Sequence, residues 1–177
     1  MSLETGALCE PLSCLLHGWD RLTAVSPVQP DSRVLITGAG IIGNLWAAIL
    51  HHHGARNVTV SEPAEGRRTI TDSLGNISDK HPSSKMIFTS SIETGYRVTD
   101  PKSLAAEMED VDAELSGFDI IIECSGFPPA LEAALAWTKR GATVMIFGCA
   151  PPGKAISLCP EDVFRKVHNQ LFLKVKQ

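Results

Sequence analysis

The sequence of 177 residues has little that marks membrane, secreted or nucleic-acid-binding proteins. No apolar run approaches the roughly twenty residues that cross a bilayer, and the first residues lack the basic and apolar segments of a secretory signal. A net charge of −4 gives no electrostatic reason to expect nucleic acid or an anionic membrane as a partner. Five cysteines form no Cys-x-x-Cys pair and are odd in number, so we expect reduced thiols and a cytoplasmic protein.

From Arg33 onward, apolar strand-like runs alternate with helical segments, which is typical of a parallel α/β sheet. The runs are Val34–Thr37, Asn57–Ser61, Tyr96–Val98, Phe118–Cys124 and Ala142–Phe147. Right-handed crossovers between them predict a Rossmann-type doubly wound parallel sheet with helices on both faces and strand order 3-2-1-4-5. The chain stops soon after Val163-Phe164-Arg165-Lys166, so the sixth strand of such sheets is expected to be missing.

The most informative motif is the glycine turn Gly38-Ala39-Gly40-Ile41-Ile42-Gly43, which follows the first strand and opens directly into a helix. Such a turn offers free backbone N–H groups and the positive end of a helix dipole to a diphosphate. Glu62 stands nineteen positions after Gly43, at the end of the second strand, where a carboxylate accepts hydrogen bonds from a ribose. The pattern predicts a site for a nicotinamide dinucleotide, and the carboxylate favours NAD over NADP because it repels a 2′-phosphate.

Further cofactor contacts are expected at the carboxyl ends of the fourth and fifth strands, where open α/β sheets bind ligands. These positions are Ser125, Gly126, Phe147 and Gly148.

The chain divides into three predicted segments. Residues 1–30 form a helix, from about Pro11 to Ala24, and a linker; residues 31–150 form the dinucleotide-binding domain. Residues 76–93 are polar and too long for an ordinary helix-to-strand connection, so we expect an insertion loop there. Residues 151–177 form a short tail with a helix.

Several motifs, in this order, resemble the medium-chain, zinc-type alcohol and polyol dehydrogenases, nearest to the sorbitol dehydrogenase branch. They are Gly6-Ala7-Leu8-Cys9-Glu10-Pro11-Leu12-Ser13, the glycine turn, Glu62 with Arg67, Ile122-Glu123-Cys124-Ser125-Gly126, Phe147-Gly148 and Pro160-Glu161-Asp162-Val163-Phe164. The resemblance covers most of the chain and implies Arg67 as a further cofactor contact.

Members of this family oxidise a secondary alcohol to a ketone, passing hydride to a nicotinamide ring, with zinc as Lewis acid. Cysteine and histidine from an N-terminal catalytic domain hold that zinc, and polyol dehydrogenases add a carboxylate at or near the position that matches Glu10. This sequence shows no such domain. The resemblance therefore implies a truncated or alternatively spliced form that binds NAD(H), lacks activity alone and does not retain zinc, with Glu10 as the one candidate metal ligand.

Three alternatives stay open. A non-catalytic nucleotide-binding or regulatory isoform, associated with a full-length homologous subunit, carries the same motifs. A class I methyltransferase also uses a glycine turn and a later acid, but usually has an acidic residue where the first strand here ends in Thr37. A glycine turn without any ligand is the third. A short-chain reductase is excluded, because its Tyr-x-x-x-Lys pair is absent: Tyr96 is followed at that spacing by Asp100.

Overall fold

The computed structural model describes residues 6–76, 96–161 and 167–172. Its helices are α1 (Cys9–Val25), α2 (Ile41–His52), α3 (Glu65–Asn76), α4 (Pro101–Glu109), α5 (Ala113–Ser116) and α6 (Pro128–Ala136). Its strands are β1 (Arg33–Thr37), β2 (Asn57–Ser61), β3 (Tyr96–Thr99), β4 (Phe118–Glu123), β5 (Thr138–Ile146) and β6 (Val167–Phe172). None of the described helices is long and apolar enough to span a membrane.

These strands form one six-stranded parallel sheet in the order β3-β2-β1-β4-β5-β6. The predicted order of the first five strands is confirmed. The expectation of a missing sixth strand is wrong, because β6 pairs with β5 through Thr143↔Asn169 to Ile146↔Phe172. The sequence of β6, Val-His-Asn-Gln-Leu-Phe, lacks the continuous apolar run by which buried parallel strands are recognised. An edge strand has only one neighbour, and its backbone pairing does not require such a run.

Helices cover both faces of the sheet, as expected. Successive side chains of β1 point to opposite faces, so this strand contributes to the core on each side. On one face Ile36 packs with Leu15 and Leu22 of α1 and with Trp46 of α2. On the other face Leu35 packs in a second cluster whose helical members are Leu104, Met108, Leu131 and Ala134. Since Leu15 and Leu22 are fully buried, α1 shares the core of the sheet.

Some predicted segments shift or lie outside the description. The first helix covers Cys9–Val25 instead of about Pro11 to Ala24, and the fifth strand begins at Thr138 instead of Ala142. All but the first residue of the expected insertion, 76–93, lies outside the described residues. Of the helix expected in the tail, residues 160–161 are helical and 162–166 lie outside the described part.

Candidate functional site

The glycine turn has the geometry that its sequence predicts. Gly38 takes a φ of +98°, in the left-handed region that favours glycine, and its N–H donates to the carbonyl of Ser61 at 2.8 Å. Gly40 is the N-cap of α2, and no side chain caps this helix. The first N–H groups of a helix lack intrahelical partners, so α2 offers uncapped donors at the end of β1.

The other two glycines of the turn serve different purposes. A Cβ at Gly43 would lie 1.9 Å from the carbonyl oxygen of Gly38, so glycine is needed for α2 to pack against the turn. A Cβ at Gly40 would meet no atom within 4 Å, so this position faces open space. The side chain of Ile41 is exposed, and that of Ile42 packs on the core.

Glu62 is buried and joins two turns. Its Oε2 accepts the N–H of Ala39 at 2.9 Å, and its Oε1 accepts the N–H of Ala64 at 2.9 Å. The carboxylate therefore connects the glycine turn to the turn between β2 and α3. Each carboxylate oxygen has further acceptor capacity, which remains available to a ligand hydroxyl.

Two arginines follow Glu62 and differ in their contacts. Arg68 donates to the carbonyls of Glu62 and Pro63 at 2.9 and 2.7 Å, which holds it against the backbone. The Arg67 guanidinium lies 3.7 Å from Glu62 Oε2, and its side chain is 63% exposed. Arg67 thus brings positive charge beside Glu62 and is free to turn toward a ligand.

The segment Cys124–Phe127, which we call the β4 turn, is organised by Glu123. Oε1 of this buried carboxylate accepts the N–H groups of Ser125 and Gly126 at 2.7 and 2.9 Å. Gly126 needs its φ of +64° and has no room for a side chain, because a Cβ would lie 2.4 Å from the carbonyl oxygen of Cys149. Sequence reasoning gave Glu123 no role of its own; the available signal was an acid closing an otherwise apolar strand.

Cys124 begins this turn and is partly buried. Burial, and then the charge of Glu123, raise the pKa of its thiol well above the ordinary value. Cys124 is therefore protonated at neutral pH and is neither a thiolate nucleophile nor a ready metal ligand.

Phe147 and Gly148 follow β5 and lie beside the β4 turn. Both N–H groups donate to the carbonyl of Glu123, at 2.9 and 2.7 Å. The Phe147 ring packs edge-on against Trp46, with centroids 5.6 Å apart. A Cβ at Gly148 would come within 2.6 Å of Glu123 Oε2.

A cavity of about 500 Å³ opens at the carboxyl ends of β1, β2 and β4, and we call it the switch-point cavity. Its lining comprises Thr37, Gly38, Gly40, Ser61, Glu62, Pro63, Arg67, Pro101, Ala105, Cys124, Ser125, Phe127, Pro129, Ala130, Ala133 and Trp137. The neighbours of β1 on its two sides are β2 and β4, and this reversal of strand order is where such sheets bind ligands.

Five residues predicted for cofactor binding therefore meet in this cavity: Gly38, Gly40, Glu62, Arg67 and Ser125. The remaining six, Ile41, Ile42, Gly43, Gly126, Phe147 and Gly148, are not among its lining residues.

The apolar wall of the cavity was missed from the sequence. Phe127, Pro129, Ala130 and Trp137 supply it from the start, first turns and end of α6. The signal was the run of small residues in α6, which leaves space beside the helix.

Glu10, the candidate metal ligand, is exposed on α1. The Sγ of Cys14 lies 3.5 Å from its Oε1. Within residues 6–76, 96–161 and 167–172, no three side chains of histidine, cysteine, aspartate or glutamate are grouped to hold a metal ion.

The chain is similar in sequence to several curated dehydrogenases. It is 28% identical to D-altritol 5-dehydrogenase of Agrobacterium fabrum over 94% of this chain and 42% of the relative. It is 27% identical to sorbitol dehydrogenase of Arabidopsis thaliana over 90% and 39%, and 29% identical to L-threonine 3-dehydrogenase of Escherichia coli over 98% and 43%. No protein-family model matches the chain.

Solved structures give the same picture. A zinc-binding dehydrogenase of Sinorhizobium meliloti, bound to NADP, superposes with a TM-score of 0.70 at 27% identity, over 94% of this chain and 43% of that one. The fold is also that of 2R,3R-butanediol dehydrogenase of Bacillus subtilis, at a TM-score of 0.68 and 21% identity over 98% and 43%. The homologues of this chain, which spans about two fifths of their length, are zinc-type polyol and alcohol dehydrogenases.

Proposed function

We propose that this chain is the NAD(H)-binding part of a zinc-type dehydrogenase that acts on polyols or secondary alcohols. The observation that carries the proposal is the switch-point cavity, in which buried Glu62 and the uncapped start of α2 face the same space. The homologous dehydrogenases support the substrate class.

The residues of the cavity fit a dinucleotide in three ways. Uncapped N–H groups of α2 beside Gly40 suit a diphosphate, which carries acceptors only. The unused acceptor capacity of Glu62 suits a ribose diol. The apolar wall that includes Phe127 and Pro129 suits the flat face of a base. When bound, the nicotinamide group supplies hydride transfer, and the residues of this chain bind and orient it.

The charges beside the ribose position favour NAD(H). The carboxylate of Glu62 repels a 2′-phosphate, and Arg67 offsets this only in part because its guanidinium is largely exposed to solvent and 3.7 Å away. We therefore expect tighter binding of NAD+ than of NADP+.

Activity requires zinc ligands as well as a cofactor site. A zinc site normally needs three or four protein ligands, and the described residues group fewer than three around Glu10. We therefore propose that the chain binds the cofactor in the cytoplasm without turnover of its own and associates with a full-length homologous subunit. The same observation favours a second candidate, a regulatory isoform whose only function is nucleotide binding.

Thermal unfolding with added ligands tests the proposal. A ligand at one hundred times its Kd stabilises a protein by about 2.7 kcal/mol, which raises the melting temperature measurably. We expect NAD+ and NADH to raise it more than NADP+ does, and S-adenosylmethionine to leave it unchanged. The same preparation, given zinc, NAD+ and a polyol such as sorbitol, should form no NADH.

Each other outcome is informative. Turnover of the polyol would contradict the inactivity that we propose and support a complete enzyme. A shift with S-adenosylmethionine alone would support a methyltransferase. No shift with any nucleotide would refute the cofactor site.

A further inference from the structure

Three segments of chain meet at Glu123, the last residue of β4. Its side chain is 2% exposed, and the proposed function gives it no role. Oε1 accepts the hydroxyl of Ser125 at 2.5 Å in addition to the two N–H groups of the β4 turn. Hydrogen bonds to an ionised acceptor are about twice as strong as neutral ones, so this single oxygen holds the turn firmly.

The same residue reaches the strands on both sides of β4. The hydroxyl of Thr37, which ends β1, lies 3.4 Å from Oε1. The backbone carbonyl of Glu123 accepts two N–H groups from the segment after β5, those of Phe147 and Gly148. Glu123 therefore lies between the segments that follow β1 and β5 and contacts both.

The β4 turn in turn lies directly against the glycine turn. A Cβ at Gly38 would be 3.2 Å from both the N and the Cα of Ser125. The N–H of Cys124 donates to the carbonyl of Thr37 at 2.9 Å. The two turns are therefore in direct contact, and the position of Ser125 sets where the β4 side of the cavity lies relative to the glycine turn.

We propose that Glu123 is a positioning residue for the dinucleotide, which fixes the β4 turn against the glycine turn across the switch point. Glu123 is not among the residues that line the cavity, and it acts through Ser125, which is. The inference rests on the proposed function, since it concerns the same site.

A dinucleotide spans both sides of the switch point, whereas a mononucleotide needs only one. AMP would use the glycine turn and Glu62, on the β1–β2 side. Loss of the Glu123 contacts should therefore weaken NAD+ more than AMP. A residue that only supported general stability would affect both ligands alike.

The test compares Glu123→Gln with Ile120→Val by calorimetric titration of NAD+ and AMP, together with thermal unfolding. Gln keeps the shape of the side chain but loses its charge. Ile120 lies in the same strand, is buried in the core and does not line the switch-point cavity, so its variant controls for lost stability. We expect E123Q to raise the Kd of NAD+ about tenfold and that of AMP less than about twofold, with the ratio unchanged in I120V.

If E123Q does not fold, Glu123→Asp provides the same comparison, because it keeps the charge but is too short to reach all the donors. It should raise the NAD+ to AMP ratio of Kd values about threefold. If wild-type protein binds NAD+ but the ratio of the NAD+ and AMP Kd values is the same in the folded variant, this inference alone is overturned. Wild-type protein that does not bind NAD+ would overturn the proposed function and the inference together.

Discussion

Alanine substitutions at Gly40 and Gly43, three residues apart in one turn, should have opposite consequences. At Gly43 the new Cβ would lie 1.9 Å from the carbonyl oxygen of Gly38, whereas real Cβ contacts below 3.0 Å essentially do not occur. The turn and α2 must therefore separate by at least the 1.1 Å between these two distances. Forcing extra volume into a packed site costs about 1–3 kcal/mol.

At Gly40 alanine should be accepted by the fold but not by the ligand. The φ of −74° suits any residue, and the new methyl group meets no atom within 4 Å. The change at a helix N-cap should cost less than about 1 kcal/mol. The methyl group would, however, occupy the open space beside the N–H donors of α2, so we expect the Kd of NAD+ to rise at least about tenfold.

Thermal unfolding with and without NAD+ separates the two effects. In a chain of this size 1 kcal/mol shifts the melting temperature by about 2–4 °C, so Gly43→Ala should lower it by about 2–12 °C without ligand. At one hundred times the wild-type Kd, NAD+ should stabilise wild type by about 2.7 kcal/mol and Gly40→Ala by only about 1.4 kcal/mol. An unchanged melting temperature for G43A would refute the packing of α2 on the turn. A wild-type ligand shift in G40A would refute diphosphate binding at the start of α2.

Two further predictions concern buried and exposed carboxylates. Glu62→Gln puts an NH₂ group where an oxygen accepts a backbone N–H, so it should lower the free energy of unfolding by about 1–3 kcal/mol in urea titration. Arg67→Ala, the matched control, should lower it by less than about 1 kcal/mol because that side chain is 63% exposed; an equal loss would refute the buried role of Glu62. The hydrogen bond from the Ser103 hydroxyl holds the pKa of Asp100, the N-cap of α4, below its ordinary 3.8. The stabilisation that ionised Asp100 gives to the fold is complete above the unfolded pKa of 3.8 and is lost as the pH falls through the lower folded pKa. Asp100→Asn should therefore make the melting temperature less dependent on pH below about pH 4. A profile identical to wild type would contradict the capping contact.

Much of the candidate site could be predicted from local sequence. Gly38, Gly40 and Glu62 were predicted from the spacing of small residues and one acid after two apolar runs, and the structure brings them into one cavity. The prediction works because the demands are local: a backbone with positive φ at Gly38 and an open helix start at Gly40 depend on neighbours in the chain.

Other parts of the site could not be predicted from local patterns. The apolar wall at Phe127 and Trp137 exists only because the start and end of α6 lie beside the ends of β1 and β2. The pairing of β6 escaped notice because an edge strand needs backbone partners more than an apolar sequence.

Sequence alone determined the order of the first five strands and the turn that opens α2, since periodicity and glycine act over a few residues. Tertiary structure decided which atoms the two buried carboxylates contact. Glu62 reaches a donor 23 residues earlier, and Glu123 reaches the hydroxyl of Thr37, 86 residues earlier. Contacts over such separations depend on which strands become neighbours, and no local pattern encodes the side-chain positions that result.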